Sequence, residues 1–190
     1  MQHTAPRSRS ARRADEVLAA FEGDYMAYQY CWVEFFIEHL ADLSRIFRGD
    51  LQSMMVLALV GQVTIRATRT AVKAGTDPAA IPAERLSISA SRIADVTGIP
   101  RETVRRRLAA LERKGWLVRT GDAAWKLAMA DGIAAARLDL AAIDRRAMVR
   151  LARLFADFEV LVEAHTRRQA EQACAEGAQD GQADPPRDAG

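Results

Sequence analysis

Cysteine is scarce: two residues in 190. Cys31 and Cys174 share no metal-ligand spacing and suggest no disulfide framework, so a reduced cytoplasmic protein is expected. Long apolar runs are also missing. The longest, MMVLALV (Met54 to Val60), falls far short of the ~20 residues that cross a bilayer. No apolar signal segment stands near the start either, so neither membrane nor export is expected. Neither sign of charge dominates, since 27 Lys+Arg against 25 Asp+Glu give a formal net charge of +2. Bulk charge therefore names no partner. Also absent are a phosphate-binding loop, a dinucleotide fingerprint, a nucleophile elbow and a zinc spacing. No catalytic residue, cofactor or metal is expected, which sets enzymes aside. What is present is an ordinary globular composition, 49% hydrophobic and 27% charged, in a chain long enough for one domain or two small ones.

Residues 1–14 (MQHTAPRSRSARRA) are basic and nearly devoid of apolar side chains, and predict a flexible tail; residues 177–190 predict another. From Asp15 to about Phe47 a helical period is carried by Phe21, Tyr25, Tyr28, Trp32, Phe35, His39 and Leu43. RGD (Arg48 to Asp50) breaks it. A second helix, Leu51 to about Lys73, wraps its apolar run around most of its surface and should be the most buried element. Residues 15–75 thus read as an N-terminal helical region, ended by a loop that Gly75, Pro78 and Pro82 punctuate. At the far end a long helix is expected from about Leu138 to Glu176. In it Met148, Leu151, Phe155, Phe158, Val162 and His165 step by 3, 4, 3, 4 and 3, the a/d seam of helices that pair lengthwise. Residues 131–176, opened by Asp131-Gly132, therefore read as a dimerisation helix.

Residues 76–130 lie between these regions. In SISASRIADVTGIPRETVRRRLAALERKG (Ser87 to Gly115), Ser89 can cap a short helix that points Ile93 and Ala94 inward. Gly98 suits the left-handed turn after it, and Pro100 suits the first turn of the next helix. Ala94, Gly98 and Val104 then supply a small residue, a flexible one and a β-branched plug where two helices cross, a helix-turn-helix arrangement. In GWLVRTGDAAWKLA (Gly115 to Ala128) the period becomes two: Trp116, Val118, Trp125 and Leu127 alternate on either side of Gly121-Asp122, as in a hairpin with a Gly-first turn. The expected fold is mainly α, a winged helix-turn-helix with flanking N- and C-terminal dimerisation helices.

Charge is concentrated in this segment. From Arg101 to Arg119 seven basic residues (Arg101, Arg105, Arg106, Arg107, Arg113, Lys114, Arg119) stand against two acidic ones (Glu102, Glu112), a basic patch of the kind that meets nucleic acid. RETVRR (Arg101 to Arg106), followed by LAALERKGWL, resembles the recognition helix of the Crp/Fnr family over about thirty residues. The helices before and after the winged helix are similar in layout to the MarR family, whose terminal helices build a dimer. No cyclic-nucleotide barrel is legible in the first hundred residues, so the Crp/Fnr effector chemistry is not implied. The Crp/Fnr resemblance implies that Arg101, Glu102 and Arg106 read bases and that Thr103 touches a phosphate.

A helical wheel bears on the same residues. With Val104 at zero and ~100° per residue, Leu108 and Leu111 fall at about +40° and −20°, a buried face. Ala109, Glu102, Arg113 and Arg106 fall between about 140° and 200°, the outward face. Arginine can fork onto a guanine edge and glutamate can accept from a cytosine amino group; as a helix pair spaced i,i+4, Glu102 and Arg106 also suit a solvated surface. Arg105, at about 100°, flanks the buried stripe and suits a phosphate. Arg107, at about 300°, is expected to lay its stem along the domain and reach solvent. In the wing, Arg119 and Lys126 suit backbone phosphate or the minor groove equally with an ordinary polar edge. Trp116 and Trp125 read as packing residues, and His39 and His165 as core or interface histidines without metal partners. Tyr25, Met26, Tyr28, Trp32, Phe35 and Phe36 admit two readings: a small-molecule effector pocket between helices, or core and dimer packing. The expected partners are double-stranded DNA at a pseudo-palindromic site and a second copy of the chain. A winged helix that binds protein instead is the alternative.

Overall fold

The computed structural model describes residues 8–121 and 123–180. Residues 1–7 and 181–190 of the tails expected at 1–14 and 177–190, and Asp122 of the expected turn, lie outside the described residues. Two compact units emerge: His39–Ala147, and the two ends of the chain up to Glu38 and from Met148 onward.

The central unit is built around a helix-turn-helix followed by a β-hairpin where the wing is expected. Helix α3 (Leu51–Lys73) is followed by two 3-10 turns, strand β1 (Ile88–Ser89), helices α4 (Ala90–Thr97) and α5 (Arg101–Arg113), and strands β2 (Leu117–Arg119) and β3 (Ala124–Leu127). The three strands form an antiparallel sheet in the order β1-β3-β2. Val56, Val60, Ile93, Val104, Leu108 and Leu117 are almost wholly buried at its centre, with Trp116 and Trp125 beside them. Both tryptophans therefore pack rather than project, and the Trp116 indole N–H donates to Asp139 at 2.6 Å. Helix α3 packs on α5 and on β3, so the domain boundary expected at 75/76 runs through this core. The loop at Gly75–Pro82 has a linker's composition, but its 3-10 turns fold back onto α3 and join it to the helix-turn-helix. By length and mean hydropathy (23 residues, 1.2) α3 would pass for a membrane span; its buried face is instead the floor of this core.

At the wing tip, Ala123 N–H donates to Thr120 O at 3.1 Å and Thr120 N–H to Ala124 O at 2.8 Å. Ala123 is left-handed (φ 56°), whereas Gly121 is not. The hairpin thus closes with one residue more than the Gly-first two-residue turn, the last of them left-handed, as in a bulged three-residue loop. Alanine is strained there, so Ala123→Gly should stabilise the protein by about 0.5–1 kcal/mol. A thermal melt that moves down would refute this. A second hairpin follows, β4 (Met129–Ala130) paired with β5 (Ile133–Ala134). Asp131 (φ 50°) and Gly132 (φ 79°) make its turn, both left-handed as a two-residue hairpin turn requires.

In the other unit, α1 (Arg9–Gly23) begins inside the segment expected to be a tail. Ser8 accepts from Ala11 N–H at 3.2 Å and Arg13 pairs with Glu16 at 3.0 Å, so local capping and an i,i+3 pair carry the helix back to Arg9. The helix expected from Asp15 to Phe47 is two helices, since Asp24 ends α1 and its carboxylate accepts from Ala27 N–H at 3.3 Å to start α2 (Tyr25–Phe47). A Cβ on Gly23 would lie 2.7 Å from His165 Nδ1, so any side chain there would have to displace the His165 ring. Helix α6 (Ala135–Asp180) runs past the expected end at 176. Of its heptad stripe, Phe158 and Val162 pack against α1 and α2, with Phe158 4.7 Å from Phe21 between ring centroids. Met148, Leu151 and Phe155 are 60%, 56% and 63% exposed. Within the central unit the buried Asp42 joins α2 to α6, taking Arg45 at 2.6 Å and Arg146 at 3.0 Å.

Candidate nucleic-acid interface

The helix-turn-helix is set by three backbone events. The Ser89 side chain accepts from Arg92 N–H at 3.2 Å and starts α4. Gly98 (φ 70°) ends it in the left-handed conformation, its N–H donating to Ala94 O at 2.9 Å. Pro100 then stands just outside α5, its carbonyl accepting from Val104 N–H at 3.0 Å, so the helix starts at Arg101 and not at Pro100. Val104, Leu108 and Leu111 fill the core from one face of α5. Arg101, Glu102, Arg105, Arg106 and Arg113 are exposed on the rest of it, and Thr103 and Ala109 are half-buried.

The three consecutive arginines do separate. Arg106 is exposed, and its guanidinium donates to the Thr103 hydroxyl at 3.4 Å. Arg105 lies 3.9 Å from the Glu102 carboxylate, both side chains open to water. The pair that forms is thus i,i+3 and not the Glu102–Arg106 pair of the wheel. Contacts this long and this exposed hold a side chain only loosely, so both guanidiniums remain available to an anionic partner. Arg107 differs. It reaches Asp50 at 2.9 Å, and its Nε is buried without a hydrogen-bond partner. Asp50 is also the cap of α3, accepting from Ser53 N–H at 3.0 Å and from the Ser53 hydroxyl at 2.7 Å. Arg107 therefore ties the recognition helix to the first helix of the fold, rather than simply reaching solvent. Asp50→Ala removes both the cap and the ion pair and should destabilise by about 1–2 kcal/mol. Denaturant unfolding checks this, and an unchanged midpoint would contradict it.

Lys114 is likewise engaged within the fold, its ammonium 3.7 Å from the Trp116 ring centroid and 5.8 Å from that of Phe47, a cation–π arrangement. In the wing, Arg119 lies opposite Trp125 in the sheet register and Lys126 opposite Val118. Successive strand positions alternate in face, so Arg119 and Lys126 point to opposite sides. The Arg119 guanidinium lies 5.9 Å from the Trp125 ring centroid, and Lys126 is half-buried.

Elsewhere, the aromatic residues of α2 meet one another and also Phe21 of α1 and Phe158 of α6. Phe21 stacks on Tyr28 at 4.8 Å, and Trp32 lies 6.0 Å from Phe35 and 5.9 Å from Phe36. Burial, together with the charges of Asp157 and Glu34, pushes the Cys31 thiol above its ordinary value and so keeps it a poor nucleophile. Sequence reasoning missed Asp50 and Asp139. Each makes a contact whose partner is remote along the chain, and no local pattern announces it.

Residues 80–121 match the family model of the IclR helix-turn-helix domain. The matched span covers α4, α5 and β2. The match gives no support to the Crp/Fnr or MarR likeness. No curated protein and no solved structure matches the chain. IclR-type helix-turn-helix domains belong to DNA-binding regulators rather than enzymes, and the likeness over residues 80–121 supports a bacterial helix-turn-helix transcriptional regulator that binds DNA.

Proposed function

We propose that the protein is a cytoplasmic, homodimeric regulator that binds duplex DNA at a pseudo-palindromic operator through α5 in the major groove. The observation that carries this is the division of α5: its apolar face is used up in the core, while Arg101, Arg105, Arg106 and Arg113 stand on its exposed surface. Arg101, Glu102 and Arg106 read base edges, since arginine and glutamate match guanine and cytosine edges. Thr103, Arg105 and Arg113 hold the backbone, and Arg119 or Lys126 touches phosphate or the minor groove from the wing. A second copy is favoured by the exposed apolar side chains Met148, Leu151 and Phe155 on α6 and Met26 and Tyr30 on α2, because apolar surface of this kind marks an interaction face. Two copies present two α5 helices to half-sites about one DNA turn apart.

Selection of binding sites from random duplex DNA at a stated salt concentration tests this. An enriched inverted repeat is the expected result. No enrichment, with binding that stays weak at low salt, overturns it and favours a winged helix that meets protein.

A further inference from the structure

The central unit holds a cavity of ≈530 Å³, a volume in the range of small-molecule sites. Its walls come from the end of α2, one face of α3, the last residue of β3, the second hairpin and the start of α6. They are mostly apolar, with Leu43, Phe47, Leu57, Leu140 and Ile143 among them. One feature is unexplained by packing within the chain. Gly61 sits in the interior of α3, where glycine weakens a helix relative to alanine, yet a Cβ built there meets no atom within 4 Å. The position is open, and the missing side chain leaves room in the cavity that Gly61 lines. At the rim Arg137 and Asp144 contribute one charge of each sign, and His39 adds an imidazole to the wall, so no single sign of charge dominates the lining.

We propose that this cavity is an effector site for an uncharged, largely apolar small molecule seated against Gly61. The effector pocket is then not the aromatic cluster of α2. It is also placed to act on the wing. Leu127 belongs to β3, and Phe47 meets the Trp116 ring edge-on at 5.9 Å. Trp116 opens the wing and is held by Asp139 of α6. A molecule that fills the cavity therefore bears on both strands at the base of the β2–β3 hairpin. This last step, from occupancy to DNA affinity, rests on the DNA-binding reading; the site itself does not.

The test titrates the full chain with N-phenyl-1-naphthylamine, a neutral fluorescent probe with one N–H, in parallel with its anionic relative 1-anilinonaphthalene-8-sulfonate. Saturable binding of the neutral probe at one per chain is expected, at least tenfold tighter than the sulfonate. Gly61→Leu should weaken the neutral probe at least tenfold while its melting temperature holds or rises; Ala58→Leu, on the same wall, serves if the first variant does not fold. Saturating probe should also change DNA affinity about fivefold or more. Non-saturable binding, equal binding by the sulfonate, or wild-type affinity in the folded variants overturns the site. A Gly61→Leu chain whose sedimentation changes would mean that a second copy fills the cavity, which also overturns it. Probe binding that leaves DNA affinity unchanged overturns the effector role. DNA bound without probe sinks the cavity proposal alone, and probe bound without DNA sinks the regulator alone.

Discussion

Replacing Arg106 with alanine is expected to flatten base preference at one operator position, removing about 1–3 kcal/mol of discrimination there. The side chain is exposed on the outward face of α5, and it donates to the Thr103 hydroxyl at 3.4 Å. Nothing in the fold depends on it, so the melting temperature should hold. Arg105 is the natural control. It is one residue away, equally basic and exposed, but on the flank of the helix beside Glu102. Arg105→Ala should weaken every duplex alike and reduce the slope of log affinity against log salt by about one. Competition binding on a set of single-base operator variants separates the two. If both variants lose affinity in the same pattern, the assignment of faces is wrong.

Leu108→Ala should have the largest effect on stability, about 2–5 kcal/mol. Leu108 is 0% exposed and lies one turn from Val104 and Leu111, in the core that α3, α4 and the wing share. Truncation leaves a cavity at the point where the recognition helix meets the rest of the domain, and the neighbours cannot all move in to fill it. A loss of that size rivals the whole stability of many small domains. DNA binding should vanish through unfolding and not through a lost contact. Circular dichroism melts beside DNA titrations check this. A variant that melts like the parent would show that α5 is not seated as described.

The two substitutions also mark what the sequence made legible. The inner face of α5 could be read directly, because Val104, Leu108 and Leu111 repeat at a helix period and the structure buries all three. The turn before it was legible for the same local reason: Ser89, Gly98 and Pro100 each act within a few residues of themselves. Nonlocal features were hidden. Arg107 reads from the wheel as a flank residue bound for solvent, and only the fold brings Asp50 to it. Helix α3 reads as part of a separate region because the Gly75–Pro82 loop looks like a linker, whereas its buried face completes the core of the central unit. The break at Asp24 was masked because Phe21, Tyr25 and Tyr28 keep a helical period straight through it. Asp131-Gly132 reads in the sequence only as the opening of the C-terminal region, though such a dipeptide is also the mark of a tight hairpin, which the structure places there. Of the outward residues the structure shows exposure and loose partners; which base each meets depends on a duplex.

The most direct measurement is the affinity of the purified full chain for a selected operator and for an unrelated duplex of the same length, across a series of salt concentrations. The account predicts affinity for both that falls steeply with salt, with log–log slopes steeper than about −3 as several phosphate contacts are lost, and a preference for the operator that Arg106→Ala reduces. Affinity that is flat in salt, or equal for the two duplexes at every salt concentration, would contradict it.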